Sequence, residues 1–530
     1  MPAAATGMMA RAARHYAAGR STEARRCCEA VLRADPGHGD AQHLLGVLLL
    51  DQGDANAAIT ALERATAFLP GQAQVRYHLG NALLASHRAA EAEAAFLAAI
   101  DLDPGHIDAR NNLGNACLVQ QRYQEAAAYY TAVLVARPGF PPALYNLGNA
   151  LFAQGLPQEA ETRYRAALVA ESAGPDPERF AQVWCHLGVA LMAQVRHEEA
   201  IACFDEALRR MPGDVLAESN RGMALLSLGR LPEGWVGYER RWDMPGFEPP
   251  EPEYAPTALR NPDAMSGHSV LLRYEQGAGD TLQFVRYAPL LAARGAQVHL
   301  FVQAGLGALL ASIEGVTSVQ EAGQRPPRCD AIWPMASLPR AFHTDLVTIP
   351  ADIPYLSVPP DRAVAWRERL GPLAKRRIGL AWSGAAGHAH DRLRSIPARH
   401  FAQLLRVPDC EYHLLQTEVR RFDDEWLKGE PSIVDHRRAL ADFAETAAAV
   451  SVMDLVITVD TSLAHVAAAL GKPTWILLAY SAEWRWMTNR IDSPWHPTAR
   501  LFRQPRPGDW EAVLNAVEAA LRDEAQRPTA

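Results

Sequence analysis

The chain has 530 residues, a formal net charge of −8, 49% hydrophobic residues and 21% charged residues. That length exceeds a single core and calls for two to four domains, while the mildly acidic balance lacks the basic footprint that nucleic-acid binding needs. Seven scattered cysteines with no Cys-x-x-Cys pair exclude a zinc ribbon or a dithiol redox motif and fit reduced thiols in a cytoplasmic protein. No apolar run reaches the length of a membrane span, and the first residues lack a secretory leader pattern.

From the N-terminus, glycines keep a fixed beat. Gly46, Gly80, Gly114 and Gly148 lie 34 residues apart, Gly188 follows after 40, and Gly222 after 34 more. A period of this size marks stacked helix pairs. The first helix of a unit reads YHLGNAL (77–83), NNLGNAC (111–117), YNLGNAL (145–151) or CHLGVAL (185–191). Twelve positions after the glycine, a small residue returns in the second helix: Ala58, Ala92, Ala126, Ala160 and Ala200. Pro36, Pro70, Pro104, Pro138 and Pro212 punctuate the units, because proline cannot continue a helix. The 40-residue step places an inserted loop at 173–179.

These positions resemble the tetratricopeptide repeat over about 5–242, with six clear units and a degenerate one at 215–242. The resemblance implies an all-α superhelix that holds a partner. Asn112, Asn146 and Asn220 share one position of the first helix, and Asn81, Asn115 and Asn149 share another. Stacked amides offer a donor and an acceptor each, suited to the backbone of an extended peptide, as in the repeat arm of protein O-GlcNAc transferases. The competing reading is that one series supports helix-pair packing.

Residues 243–268 are dense in proline and lose helical periodicity, the texture of a linker. Next come the strand SVLLR (269–273), a tight turn at Gly277, Ala278 and Gly279, a helix opened by Asp280, and the strand QVHLFV (297–302), together a βαβ unit. A second set follows: RRIGLAWSG (376–384), EYHLLQT (411–417) and DLVITVDTSLAHVAAALGKPTWILL (454–478). Thr461 and Ser462 stand where a strand gives way to a helix, and free N–H groups and the helix dipole favour a phosphate there. No GxxxxGK[ST], HExxH or GxSxG motif occurs. Trp475, Trp484, Trp486, Trp495 and Trp510 read as core or lobe-packing anchors.

The strings EQGAGDTLQFVRY, GLAWSG and DLVITVDTSLAHVAAALGKPTWILL resemble the heptosyltransferase-type glycosyltransferases, over about 230–515. The resemblance implies an α/β GT-B fold of two Rossmann-like lobes, an acceptor-side lobe at 269–365 and a nucleotide-sugar lobe at 375–525. It also implies that Asp280, after the loop glycines Gly277 and Gly279, takes the acceptor hydroxyl proton. Capping of its own helix is the competing role, and Glu275 and His390 are rival bases.

On the second lobe the resemblance assigns the diphosphate to the helix start at Thr461 and Ser462, although Ser462 stands where the family often has glycine; His465 matches a histidine one turn into that helix that would join the nucleotide-sugar site, with a structural role as the competing reading. Asp460 would hold the loop or a hydroxyl, Ser383 and Gly384 would form a second cradle, and Arg394 would neutralise the leaving phosphate. Gln416 and Thr417 would touch base or ribose.

No metal or other cofactor is expected. The pair Asp101 and Asp103 falls in a repeat-end turn, and Asp423 and Asp424 lack the Asp-x-Asp spacing. Leaving-group charge would then fall to the helix dipole and basic side chains. The expected activity is a metal-independent, inverting sugar transfer from a nucleotide sugar to an acceptor recruited by the array, a protein in the favoured case and a lipid-linked or surface glycan in a weaker one. The alternative is a repeat scaffold with a non-catalytic glycosyltransferase-like domain.

Overall fold

The computed structural model describes residues 2–171, 177–246, 261–385, 387 and 391–525. His390, residues 173–176 of the expected insertion and 247–260 of the expected linker lie outside them. Residues 177–179 open the helix Pro177–Ala193. The chain divides into two compact units, Met1–Gln194 with Glu206–Pro212, and Val195–Asp205 with Gly213–Ala530. The degenerate last repeat therefore belongs with the α/β half.

The first unit is a run of antiparallel helix pairs, such as Ala73–Ala85 with Ala89–Leu102 and Ile107–Val119 with Tyr123–Ala136. The periodic glycine has a steric cause. A Cβ on Gly46 would meet Leu62 at 2.5 Å, on Gly80 Phe96 at 2.5 Å, on Gly114 Tyr130 at 2.6 Å, and on Gly148 Tyr164 at 2.5 Å. In each unit a large side chain sixteen residues later, on the second helix, lies flat on the first helix backbone. The small partners Ala58, Ala92, Ala126 and Ala160 are fully buried, which lets the helices close to that distance.

The amides of the first helices bond to one another. Asn146 Nδ2 donates to Asn115 Oδ1 (2.9 Å), Asn115 Nδ2 to Asn112 Oδ1 (3.2 Å), and Asn112 Nδ2 to Asn81 Oδ1 (2.8 Å). Tyr130 and Tyr164 hydroxyls donate to Asn115 and Asn149. The bonds among the amides give the packing role that was the competing reading, and the half-buried members keep unspent hydrogen-bonding capacity. Asn220 lies in the second unit and is buried, which removes it from a ladder open to a peptide.

After Val195–Asp205, the second unit continues with the helices Val215–Ser227 and Leu231–Tyr238. Two parallel sheets follow. The first contains β1 (Ser269–Arg273), β2 (Gln297–Val302), β3 (Val316–Glu321) and β4 (Ala331–Pro334), in the order β3-β2-β1-β4. The second contains β5 (Arg376–Ala381), β6 (Cys410–Leu414), β7 (Ile433–Asp435), β8 (Leu455–Val459), β9 (Thr474–Leu478) and β10 (Ala499–Arg503), in the order β10-β9-β8-β5-β6-β7. Read from β5, that is the doubly wound order, with its topological switch between β5 and β8. The strand β5 is buried from Arg377 onward, and β8 and β9 are buried along their length, because both faces are covered.

Trp235, Tyr238, Phe284, Trp484 and Trp495 form one buried aromatic cluster, drawn from the last repeat and from both sheet regions. The helix Trp510–Ala525 packs on the second sheet, where Arg376 reaches Glu524 at 2.6 Å. The five late tryptophans are all buried, as their anchor reading requires.

Candidate active site

Ligands of open α/β sheets sit outside the carboxyl ends of strands, at a switch point. In the first sheet the loop after β1 carries Glu275 to Asp280. Arg241 holds its start: Nε donates to Glu275 Oε2 (2.7 Å), Nη2 to Glu275 Oε1 (3.0 Å) and Nη2 to Ser337 Oγ (2.8 Å). Ala336 N–H donates to Glu275 Oε1 at 3.0 Å as well. Burial pushes the Glu275 carboxyl up, against the pull of Arg241. A carboxylate enclosed and triply bonded in this way is a brace for the loop and not a free base, so Glu275 drops out as a rival to Asp280.

Asp280 performs its capping role and more. One oxygen accepts the Gly277 N–H at 2.9 Å, and the other pairs with Arg485 from the second lobe. Arg485 is the hub of the crevice. Its Nε donates to Gln283 Oε1 at 2.8 Å, and its Nη1 pairs with Glu483 at 2.7 Å. Glu483 keeps 39% of its side chain open to solvent, yet its surroundings push it up to about 7: burial first, with Asp460 and Asp280 adding and Arg485 opposing. A group on a crevice floor is crowded by protein while water still reaches it. Asp460 is also raised, mainly by burial, with Arg485 and Arg394 pulling down.

The second lobe supplies its two expected loops at the switch. After β8, Thr461 caps the helix Ser462–Ala469 in an extended conformation (φ −140°, ψ 173°) and makes no side-chain cap bond. In that first turn the Ala464 N–H donates to Thr461 O at 3.0 Å, while the N–H groups of Ser462 and Leu463 have no partner within the helix. Arg394 lies beside them, with Nη1 donating to Asp460 O at 2.9 Å. Its guanidinium rests on Gly384, where a Cβ would stand 2.7 Å from Nη2 and push the guanidinium aside. Ser383, Gly384, Arg394, Asp460, Thr461 and Ser462 are therefore brought to one place.

Gln416 departs from its expected role. Its Oε1 accepts the N–H groups of Trp382 (2.7 Å) and Ser383 (3.2 Å), and its Nε2 donates to Ser383 Oγ (3.1 Å) and Glu418 O (2.9 Å). All four bonds of the amide are spent on bracing the loop after β5, which leaves none for a base or ribose. The neighbouring Thr417 instead lines an open cleft of about 870 Å³ with Asp435, His436, Arg437 and Arg438 at the carboxyl ends of β6 and β7.

The two lobes meet at the site. A Cβ on Gly279 would stand 2.9 Å from His465 Cδ2 and 3.8 Å from Ser462 Cα. His465 is buried, stacked on Trp486 (5.5 Å between ring centres), and its Nδ1 lies 3.1 Å from His496 Nε2. Burial, then Arg485 and Arg286, hold His465 well below the ordinary histidine range. Glu483, Arg485, His496 and Arg286 were not among the residues expected here. For Glu483, Arg485 and His496 the one sequence signal is a polar or charged residue set among tryptophans, as in SAEWRW (481–486) and SPWHP (493–497); Arg286 lies in LQFVRY (282–287), away from any tryptophan. Among the described residues, no group of three or more His, Cys, Asp or Glu is arranged to hold a metal ion. Within the crevice the cation between the carboxylates is Arg485.

Comparison with known proteins agrees with both halves. Models of the tetratricopeptide repeat match residues 15–82, 77–141, 145–215 and 186–243. The model of glycosyltransferase family 9 (heptosyltransferase) matches residues 440–510, the stretch that holds β8, the Ser462–Ala469 helix, Glu483, Arg485 and His496. Protein FlbA of Caulobacter vibrioides is 26% identical over 365 residues, covering 61% of this chain and 59% of that protein. The chain thus matches less than two thirds of that relative.

Among solved structures, PilW, a widely conserved type IV pilus biogenesis factor, is 19% identical over 41% of this chain and 97% of its own, with a TM-score of 0.37. A tetratricopeptide repeat protein from Parabacteroides merdae is 12% identical over 46% and 93%, with a TM-score of 0.39. The chain is a tetratricopeptide-repeat array joined to a parallel α/β region of GT-B type. The repeats and the family 9 match together support a glycosyltransferase with a repeat scaffold. No helix among the described residues is long and apolar enough to cross a membrane.

Proposed function

We propose that the chain is an inverting glycosyltransferase that needs no metal, takes its sugar from a nucleotide sugar, and acts on a protein acceptor recruited by the repeat array. The observation that carries this is the meeting of Gly279–Asp280 with Ser462–His465 across the crevice. In this reading a carboxylate that can take a proton and a helix start that can take a diphosphate would serve one reacting centre. In the transfer, Asp280 receives the acceptor hydroxyl proton as that oxygen bonds to the anomeric carbon. The bond from that carbon to the phosphate oxygen breaks, and its electron pair leaves on the nucleoside diphosphate. The first-turn N–H groups after Thr461, with Arg394 beside them, meet that charge. The open cleft lined by Thr417 and Arg438 would take the nucleoside. The half-buried amide ladder of the array would hold extended peptide.

One observation favours the alternative of a non-catalytic domain on a scaffold: both oxygens of Asp280 are already engaged. The test is release of nucleoside diphosphate from a panel of nucleotide sugars by the full chain, with mass measurement of co-purified proteins. Turnover that falls about 100-fold or more in Asp280→Asn supports Asp280 as the base. Undiminished turnover in that variant removes it from the mechanism, and no release or binding of any nucleotide by the wild type leaves the scaffold.

A further inference from the structure

The strongest unassigned arrangement is a chain of three buried side chains that starts on the first lobe and ends at the helix after β8. Arg286 is almost wholly buried and held from several sides. Its Nε donates to Gln283 O (2.7 Å), its Nη1 to Trp495 O (2.6 Å) and Pro350 O (3.2 Å), and its Nη2 to the Tyr355 hydroxyl (2.9 Å). Nη2 also faces His496 Nδ1 at 3.3 Å. His496 Nε2 in turn faces His465 Nδ1 at 3.1 Å.

The protons on this chain follow from chemistry. A guanidinium has only donors, so His496 Nδ1 must be the bare, accepting nitrogen. Neutral His496 then carries its proton on Nε2 and donates to His465 Nδ1. His465, accepting on Nδ1, carries its own proton on Nε2. We propose that Arg286 and His496 are positioning residues that lock His465 as a neutral imidazole whose Nε2–H is presented to the diphosphate of the nucleotide; this rests on the donor-site reading given above. The Nε2 atom lies 3.4 Å from where a Cβ of Gly279 would stand, beside the start of the Ser462–Ala469 helix. No hydrogen-bond acceptor for it occurs among the described residues. Burial together with the charges of Arg286 and Arg485 keeps both rings unprotonated. The N–H is therefore available at constant charge across the physiological range, and its direction is fixed before ligand arrives, which spares ordering on binding.

The experiment has two arms on the full chain. Long-range proton–nitrogen spectra of histidine-labelled protein, with His465 assigned by its loss in His465→Gln, are expected to show a bare Nδ1 and a protonated Nε2. A protonated Nδ1, or an imidazolium near neutral pH, overturns the relay whatever the nucleotide result. Calorimetry then compares nucleoside diphosphates with the matching nucleosides. His496→Phe fills the same space without the bonds and should weaken diphosphate about tenfold, the loss of one hydrogen bond to a charged group, with nucleoside affinity unchanged. His496→Gln should restore it, because its amide accepts from Arg286 and donates to His465. Equal loss for nucleoside and diphosphate, or failure of the Gln variant to restore, overturns the proposal. Absence of any nucleotide binding by wild type overturns the donor-site reading and the ligand assigned here, while the spectral arm still decides the proton positions.

Discussion

Gly279 on one lobe and His465 on the other are so close that a Cβ on the glycine would lie 2.9 Å from the imidazole Cδ2. The ring cannot yield easily, being buried against Trp486 and bonded to His496. Gly279→Ala should gain less than about 1 kcal/mol from helix propensity and lose about 1–3 kcal/mol to overpacking. The net outcome expected is a lower melting temperature with weaker nucleoside diphosphate binding. A higher melting temperature with unchanged binding would show that the two lobes do not meet there.

Glu483 makes a pH prediction with a definite sign. Its folded pKa of about 7 stands above the ordinary 4.5, so between those values the folded chain holds a proton that the unfolded chain has released. Stability must then fall as pH rises through that window and level off above it. The groups that face it are Arg485, Asp460 and Asp280. Because much of the side chain meets water, the slope should be shallow. Glu483→Gln should flatten it in denaturant titrations run from pH 5 to pH 8; an unaltered slope would assign the effect to other groups.

The fold was legible because its signals are periodic or contiguous. A glycine every 34 residues has one steric cause repeated, and the stretches 378–381 and 455–459 are short contiguous segments dominated by apolar residues. Asp280, Thr461 and Ser462 were legible because a glycine turn or a strand end placed them at a helix start. Arg485, Glu483, His496 and Arg286 were not, since each acts on a residue between 31 and 210 positions away, or on a neighbour in a turn with no period. Gln416 shows the opposite failure. Its position at a strand end suits a ligand contact, but three of its four bonds go to a loop 33 or 34 residues away, which no local pattern signals.

Arg241 and Glu275 form a buried bidentate pair beneath the glycine loop. Removing one partner leaves a buried charge alone, so Arg241→Met should cost about 3–5 kcal/mol. The double change Arg241→Met with Glu275→Gln should recover part of that loss, because the Glu275 charge is then gone as well, while Glu239, which Arg241 also meets at 2.9 Å, keeps its own. Urea denaturation of the wild type, Arg241→Met, Glu275→Gln and the double variant measures it. A double variant no more stable than Arg241→Met alone would locate the role of Arg241 in its bonds to Ser337 and Tyr238 instead.

The last repeat is expected to be inseparable from the α/β half. Trp235 is buried against Trp484 and Trp495, and its Nε1 donates to Thr344 O at 2.9 Å. On the neighbouring helix, Ser227 O accepts the Thr488 N–H at 2.9 Å. Truncating the indole leaves a cavity and an unpaired carbonyl, so Trp235→Ala should destabilise the second unit by about 3–5 kcal/mol. The same packing governs where the chain can be cut. Residues 195–530 should fold and unfold cooperatively, whereas 269–530 would expose Trp484 and Trp495 and should aggregate or bind hydrophobic dye. A soluble, cooperatively unfolding 269–530 chain would show that the aromatic cluster closes without the repeat.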